Sequence, residues 1–169
     1  MKKSANIVAV IGLALGGAFG MIGTLVSERR VQAACWGIDG IGLVVATALL
    51  ALQFFRKERD IVAAGFLVFS IGEAVMLSGT ATTLAESAPS FAAGTALWAA
   101  ALLFTSVPKE FPIWVRALSM IGCILFAITS ARIFWGQHVL PTSAPLPFYA
   151  YPFLVFTFIG WIWHLMKTD

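Results

Sequence analysis

Charged side chains are scarce in this sequence. They make up 11% of the 169 residues, whereas hydrophobic residues make up 60%. A soluble domain typically carries about 25% charged residues. These few charged residues cannot supply enough polar surface to cover a water-soluble globule. The composition therefore excludes an ordinary soluble protein and favours one that is covered by lipid.

Cysteine and histidine are also scarce, with two of each. Cys35 and Cys123 fall inside apolar stretches at different predicted depths, which argues against a disulfide or a thiolate metal site. His138 and His164 are predicted to lie at opposite faces of a membrane, so they cannot ligate one haem together. We therefore expect no metal and no cofactor, and an enzyme is less expected than a binding or transport protein.

Long apolar stretches take up most of the chain. Each of the six is long enough to cross a hydrocarbon core about 30 Å thick. The first is longer than the apolar region of a signal peptide, so we expect a transmembrane helix there. The predicted fold is all-α, a single domain (1–169) of six transmembrane helices at about 5–26, 31–55, 61–84, 90–107, 112–136 and 148–166.

Basic residues are divided unequally between the predicted loops, and they form no stripe of the kind that binds nucleic acid. One side of the membrane would hold eight of them: Lys2, Lys3, Arg56, Lys57, Arg59, Lys109, Arg116 and Lys167. The other side would hold three: Arg29, Arg30 and Arg132. The positive-inside rule then predicts a plasma-membrane protein with both termini in the cytoplasm.

A stripe of small residues runs along the first helix. Gly12, Gly16 and Gly20 recur at every fourth position and lie on one helical face. Such a glycine zipper lets another helix pack closely. Two interpretations stay open: packing within one molecule, or packing between two copies in a homodimer.

Two carboxylates lie well inside apolar stretches, where an ionisable group is costly and usually has a role. At 1.5 Å per residue, Asp39 is predicted roughly 12 Å and Glu73 roughly 16 Å below the same membrane boundary. Arg132 is predicted in that half of the membrane and is the expected counter-charge. These three residues form the predicted polar cluster.

Hydroxyl groups and one tryptophan are predicted close to this cluster: Ser78, Thr129, Ser130, Thr157 and Trp98. In one interpretation the cluster only specifies helix packing, with one acid paired to Arg132 and the other bonded to a hydroxyl. In the other it lines a water-accessible cavity that binds a small polar solute or a proton. Trp98 would fill the core or form a wall of that cavity, whereas Trp161 is expected to anchor the helix at the membrane interface.

The leading functional prediction is a small transporter, channel or solute-binding protein in the lipid bilayer. An accessory or scaffold subunit of a membrane complex is the alternative. A lipid-directed enzyme is less expected and would use Arg29, Arg30 and His138 at the outer face. A weak match between 66–70 and 153–157 further suggests that helices 1–3 repeat, inverted, as helices 4–6, an arrangement common in transporters.

Overall fold

The computed structural model describes residues 2–167, with side chains from Ser4 to Lys167, and these residues form an all-helical bundle. The six α-helices are α1 (Lys2–Leu25), α2 (Arg29–Phe55), α3 (Asp60–Ser78), α4 (Ala88–Ser106), α5 (Ile113–Phe134) and α6 (Tyr151–Lys167). Short 3₁₀ turns follow α3 (Gly79–Ala81) and precede α6 (Phe148–Ala150). The expectation of six helices that are long and apolar enough to span a membrane is confirmed.

The third helix shows the largest difference from its predicted bounds. It was expected to continue to residue 84, but α3 ends at Ser78 and the chain tightens into the 3₁₀ turn. The hydroxyls of Thr80 and Thr82 donate to the carbonyls of Leu77 and Gly79, which offers the backbone an alternative to the helical ladder. Hydropathy does not reveal where side-chain hydroxyls replace helical hydrogen bonds, so the apolar pattern could not predict this end of α3.

The helices pack in chain order into a closed ring. Each helix contacts the next one along the chain, and α6 returns to contact α1. The connections at 26–28, 56–59, 82–87 and 107–112 are short, which makes successive helices antiparallel. The start of α1, the end of α6 and two connections therefore lie at one end of the bundle, here called the termini end. The other three connections, including 135–147, lie at the opposite end.

The glycine stripe of α1 packs against α2 of the same chain. A Cβ atom built on Gly12 would lie 2.5 Å from the carbonyl oxygen of Gly42, and one built on Gly16 would overlap Leu43. Of the two interpretations, the stripe thus serves packing within the monomer. A homodimer stays a prediction and would need another surface.

The termini end of the bundle is filled by aromatic rings. Phe66 of α3 stacks on Phe54 of α2 at 5.4 Å and meets the edge of Trp161 of α6 at 4.7 Å. We call the aromatic cluster the set Phe54, Phe66, Phe69, Phe111, Phe158 and Trp161, all buried. Trp161 is only 1% exposed, so its expected role as an interface anchor is wrong: its ring completes the core.

Large apolar side chains also cover the outside of the ring. Every helix exposes several, among them Ile11, Ile41, Leu67, Phe104, Ile124 and Ile159. So much contiguous apolar surface is unfavourable in water and is typical of helices that face lipid. The outer surface therefore indicates membrane insertion.

Candidate functional site

A cavity opens inside the ring in the half of the bundle away from the termini end. Its walls come from the second halves of α1 and α3 and from the first halves of α2, α4 and α6, with Pro141 of the last connection at its rim. It has a volume of about 90 Å³, enough for several waters or one small ligand. The aromatic cluster lies below it, so the cavity is closed towards the termini end.

Asp39 of α2 and Glu73 of α3 both line this cavity. Their side chains are 8% and 4% exposed, and each repels the charge of the other. Among the described residues, Asp39 Oδ1 and Glu73 Oε2 are buried without a hydrogen-bond partner. Two carboxyl groups from different helices thus meet in one cavity with unused acceptor capacity.

Two glycines make room for these carboxyl groups. A Cβ on Gly20 of α1 would lie 3.0 Å from Asp39 Oδ2, and a Cβ on Gly40 of α2 would lie 3.3 Å from Glu73 Oε1. Any larger side chain at either position would press on a carboxylate. Gly20 therefore belongs to the wall of the cavity as well as to the α1 stripe.

Aromatic side chains form much of the remaining wall. The indole nitrogen of Trp98 lies beside the Glu73 carboxylate without reaching hydrogen-bond geometry, and its ring stacks on Phe69 at 5.4 Å. Trp98 therefore combines the two roles that were expected as alternatives, core and cavity wall. Tyr151 of α6 also faces the cavity, and its hydroxyl donates to the carbonyl of Pro141 at 2.9 Å.

Arg29 is the basic residue that lines the cavity, in place of the expected Arg132. Its guanidinium donates to the backbone carbonyls of Thr80 and Thr82 at 3.1 and 2.6 Å and to the side chain of Gln32. It therefore binds the 3₁₀ turn after α3 at the rim of the cavity. Within residues 2–167, no hydrogen bond or ion pair joins it to either carboxylate.

The connection that follows this turn is held by hydrogen bonds between its own residues. Both the amide and the hydroxyl of Thr83 donate to the Glu86 carboxylate, which holds the pKa of Glu86 below its usual value. Ser87 and Ser90 then line the rim of the cavity. The rim is thus a hydrogen-bonded backbone segment and not a free loop.

The expected pairing of Arg132 with the acids is not formed. Arg132 lies near the end of α5, donates to the side chain of Gln137 at 2.6 Å and does not line the cavity. The walls of the cavity come from the other five helices, and α5, which packs against α4 and α6, contributes none.

The expected hydroxyl neighbours also lie elsewhere. Ser78 is exposed and bonds the carbonyl of Val75, while Thr129 and Thr157 bond carbonyls one turn earlier on their own helices. Ser130 bonds the carbonyl of Ala92 on α4. None of them lines the cavity, so the acids have no hydroxyl partner of the kind predicted.

A periodic signal in α2 could have found Arg29. Arg29, Gln32, Trp36 and Asp39 follow one another at spacings of three, four and three, which places them on one helical face. The same spacing joins Tyr151, Leu154 and Phe158 along α6. Sequence reasoning missed these residues because it paired Asp39 by charge and depth and not by the face that α2 shares with its neighbours.

No group of three or more metal-ligating side chains occurs in the described part of the chain. Comparison of the chain with protein-family models, curated proteins and solved structures finds no match. The geometry of the cavity therefore carries the functional interpretation.

Proposed function

We propose that this chain is a small membrane transporter, channel or solute-binding protein that takes up a small polar solute or a proton beside Asp39 and Glu73. One observation carries the proposal: both carboxyl groups are buried, face one cavity, and keep an oxygen without a hydrogen-bond partner. Leaving a buried polar group unsatisfied costs about 1–3 kcal/mol. Ionisable groups kept inside a membrane at such a cost mark solute or proton sites.

The shape of the cavity supports access from one side. The rim consists of connections and helix ends, including Arg29, Thr80 and Pro141, whereas the other end is filled by the aromatic cluster. With the termini in the cytoplasm of a plasma-membrane protein, as the basic residues predict, the cavity opens away from the cytoplasm. Transport would then require the aromatic cluster to separate.

The scaffold alternative loses one of its supports. It drew on the α1 glycines as a surface for a partner, but Gly12 and Gly16 are covered by α2. The lipid-directed enzyme is weakened as well, because the donors of Arg29 go to backbone carbonyls and to Gln32.

The inverted repeat stays a prediction, and burial does not favour it. In the matched fragments Leu67 is 53% exposed while Leu154 is 4% exposed, and Phe69 is fully buried while Phe156 is 54% exposed. Equivalent positions in a true repeat usually face equivalent surroundings. The two halves also contribute unequally to the cavity, since α5 adds no lining residue whereas α2 supplies Asp39.

Thiol reactivity tests whether the cavity is wet. In a background with Cys35 and Cys123 replaced by Ala, Met76→Cys places a thiol on the cavity wall of α3, and Ala74→Cys places one at similar depth on the exposed face. A thiol reacts as its thiolate, which forms in water and not in lipid. A membrane-impermeant methanethiosulfonate should therefore label M76C in nanodiscs much faster than A74C.

Equal, slow labelling of the two thiols would mean a dry bundle and would favour the scaffold. Fast labelling of A74C alone would show that the outward face, and not the cavity, is in water. Melting curves of both variants, recorded before labelling, exclude unfolding as the source of reactivity.

A further inference from the structure

We infer that the cavity binds a small ammonium ion with a compact apolar body, such as a primary amine in its protonated form. The inference rests on the proposed function and names the class of its ligand. It follows from the juxtaposition of two unpartnered carboxyl groups with a largely apolar and aromatic wall.

The charge of the site favours a cation. Asp39 and Glu73 come from adjacent helices, lie close enough to repel each other, and have no basic partner among the side chains that the structure describes. A single positive charge between them relieves that repulsion, whereas an anion would increase it. Beside a largely apolar wall, the most favourable filling is one cation next to one carboxylate, with the second carboxyl group protonated.

The hydrogen-bonding capacity of the site favours a donor. Ionised carboxylates only accept hydrogen bonds, and the buried oxygens of Asp39 and Glu73 lack donors. An ammonium group carries three N–H donors and can serve both carboxyl groups at once. A quaternary ammonium ion or a ligand that only accepts hydrogen bonds would leave them unsatisfied.

The wall favours an organic cation over a metal ion. Calcium takes six to eight oxygen ligands and magnesium keeps an octahedral shell of oxygens. Around the two acids the wall instead presents Met76, Phe91, Trp98, Leu154 and Phe158. Aromatic rings and carboxylates together attract an ammonium ion through cation–π and ionic contacts, and aliphatic side chains cover its apolar body.

Arg29 does not compete for the acids. Its guanidinium is held at the rim by the carbonyls of Thr80 and Thr82 and lies over the ring of Trp36, with 5.8 Å between its carbon and the ring centroid. Its bonds leave Asp39 and Glu73 open to a ligand. A second positive group at the rim also disfavours dications and long polyamines.

Three probes of nearly the same size test the inference in nanodiscs at about pH 7, where an alkylamine is protonated. They are propylammonium, the neutral 1-propanol and the anionic propionate, which suit a cavity of about 90 Å³. Binding is followed by tryptophan fluorescence, since Trp36 and Trp98 line the cavity, and by the shift in melting temperature. The ammonium ion should bind at least about tenfold more tightly than the alcohol, the factor for one charge-assisted hydrogen bond, and propionate should not bind.

Variants locate the binding. Asp39→Asn and Glu73→Gln should each weaken binding of propylammonium by about tenfold or more. Ser78→Ala is the matched control on α3, because its hydroxyl is exposed and bonds only the carbonyl of Val75. It should bind as the unchanged protein does. If either acidic variant fails to fold, the comparison of the three probes on the unchanged protein still tests whether the cavity selects a cation.

Two results would overturn the inference. Equal affinity for the alcohol and the ammonium ion would mean that the carboxyl groups do not select charge. Tighter binding of propionate, or no binding of any probe, would exclude a cation site. None of these binding results contradicts the proposed function if M76C is labelled and A74C is not, because the cavity is then accessible to water. Slow labelling of M76C, which would mean a dry cavity, would instead contradict both the inference and the proposed function.

Discussion

Buried polar side chains in this protein differ in whether their polar atoms have partners. Gln32 is 4% exposed and its amide donates to the carbonyls of Gly23 and Val26, while Ser70 bonds the carbonyl of Val44 on the neighbouring helix. These groups tie chain segments together. Asp39 and Glu73 are equally buried but keep unpartnered oxygens, so they lower stability while they shape the cavity.

Removing an ionisable group that has no partner should stabilise the bundle. We expect Glu73→Gln to raise the melting temperature by about 2–4 °C, the shift that about 1 kcal/mol produces in a chain of this size. Gln32→Ala is the contrasting variant and should lower it, because two carbonyls lose their donor. Thermal unfolding in one detergent measures both, and a large loss of stability in E73Q would favour the packing interpretation of the acids.

At this scale the sequence predicted which side chains lie together better than it predicted the partner of the acids. Asp39, Glu73 and Trp98 do line one cavity, since a carboxylate in an apolar stretch is visible without coordinates. Arg132 does not line it. A depth estimate says how far along the membrane normal a residue lies, but not whether its side chain faces the inside of the bundle.

The packing of α1 on α2 sets the position of the acids. Gly12 and Gly16 bring the two backbones together, and one turn further along Gly20 faces the Asp39 carboxylate. The two backbones can approach this closely because glycine has no side chain at these contacts.

Substitution of single glycines tests this packing. Gly12→Ala should destabilise the protein by about 1–3 kcal/mol, since its Cβ would lie 2.5 Å from the carbonyl oxygen of Gly42. Gly37→Ala on α2 is the control, because a Cβ there meets nothing within 4 Å, and the better helix propensity of Ala should leave stability equal or slightly higher. Chemical or thermal unfolding compares the two variants; equal effects would show that the α1 stripe is not tightly packed.

The 3₁₀ turn after α3 depends on a residue of another helix. Arg29→Ala removes the donors to Thr80 and Thr82, so amide hydrogen exchange across 79–83 should accelerate by about tenfold, which corresponds to about 1.4 kcal/mol of local stability. Arg30→Ala is the neighbouring control, since the Arg30 side chain is exposed. Exchange followed by mass spectrometry resolves this segment, and unchanged rates in R29A would contradict the role of the arginine.

The two ends of the whole molecule differ in both charge and packing. The termini end has most of the basic residues and the aromatic cluster, and its connections are joined by an ion pair between Arg59 and Glu110 at 3.3 Å. The opposite end has the cavity and fewer basic residues. Lys2 and Lys3 count towards the first group by sequence, although their side chains lie outside those described.

This asymmetry predicts the orientation in a cell. A green fluorescent protein fused after Asp169 should fluoresce in a bacterial host, since the C-terminus is expected in the cytoplasm. Alkaline phosphatase fused after Gln137 should be active, because that connection is at the opposite end. Activity of a phosphatase fused at the C-terminus, with a dark fluorescent fusion, would reverse the orientation and turn the cavity towards the cytoplasm.

The sequence by itself determined the six apolar helices, their approximate bounds and the two acids within them, because hydropathy and helix length are local properties of the chain. The tertiary structure alone decided what those acids face. The packing of the helices puts α2, α3 and α6 around one cavity, whereas α5, with Arg132, contributes no lining residue. Contacts between distant segments, such as Arg29 with the turn after α3, depend on how helices rotate and pack, and no local pattern specifies that.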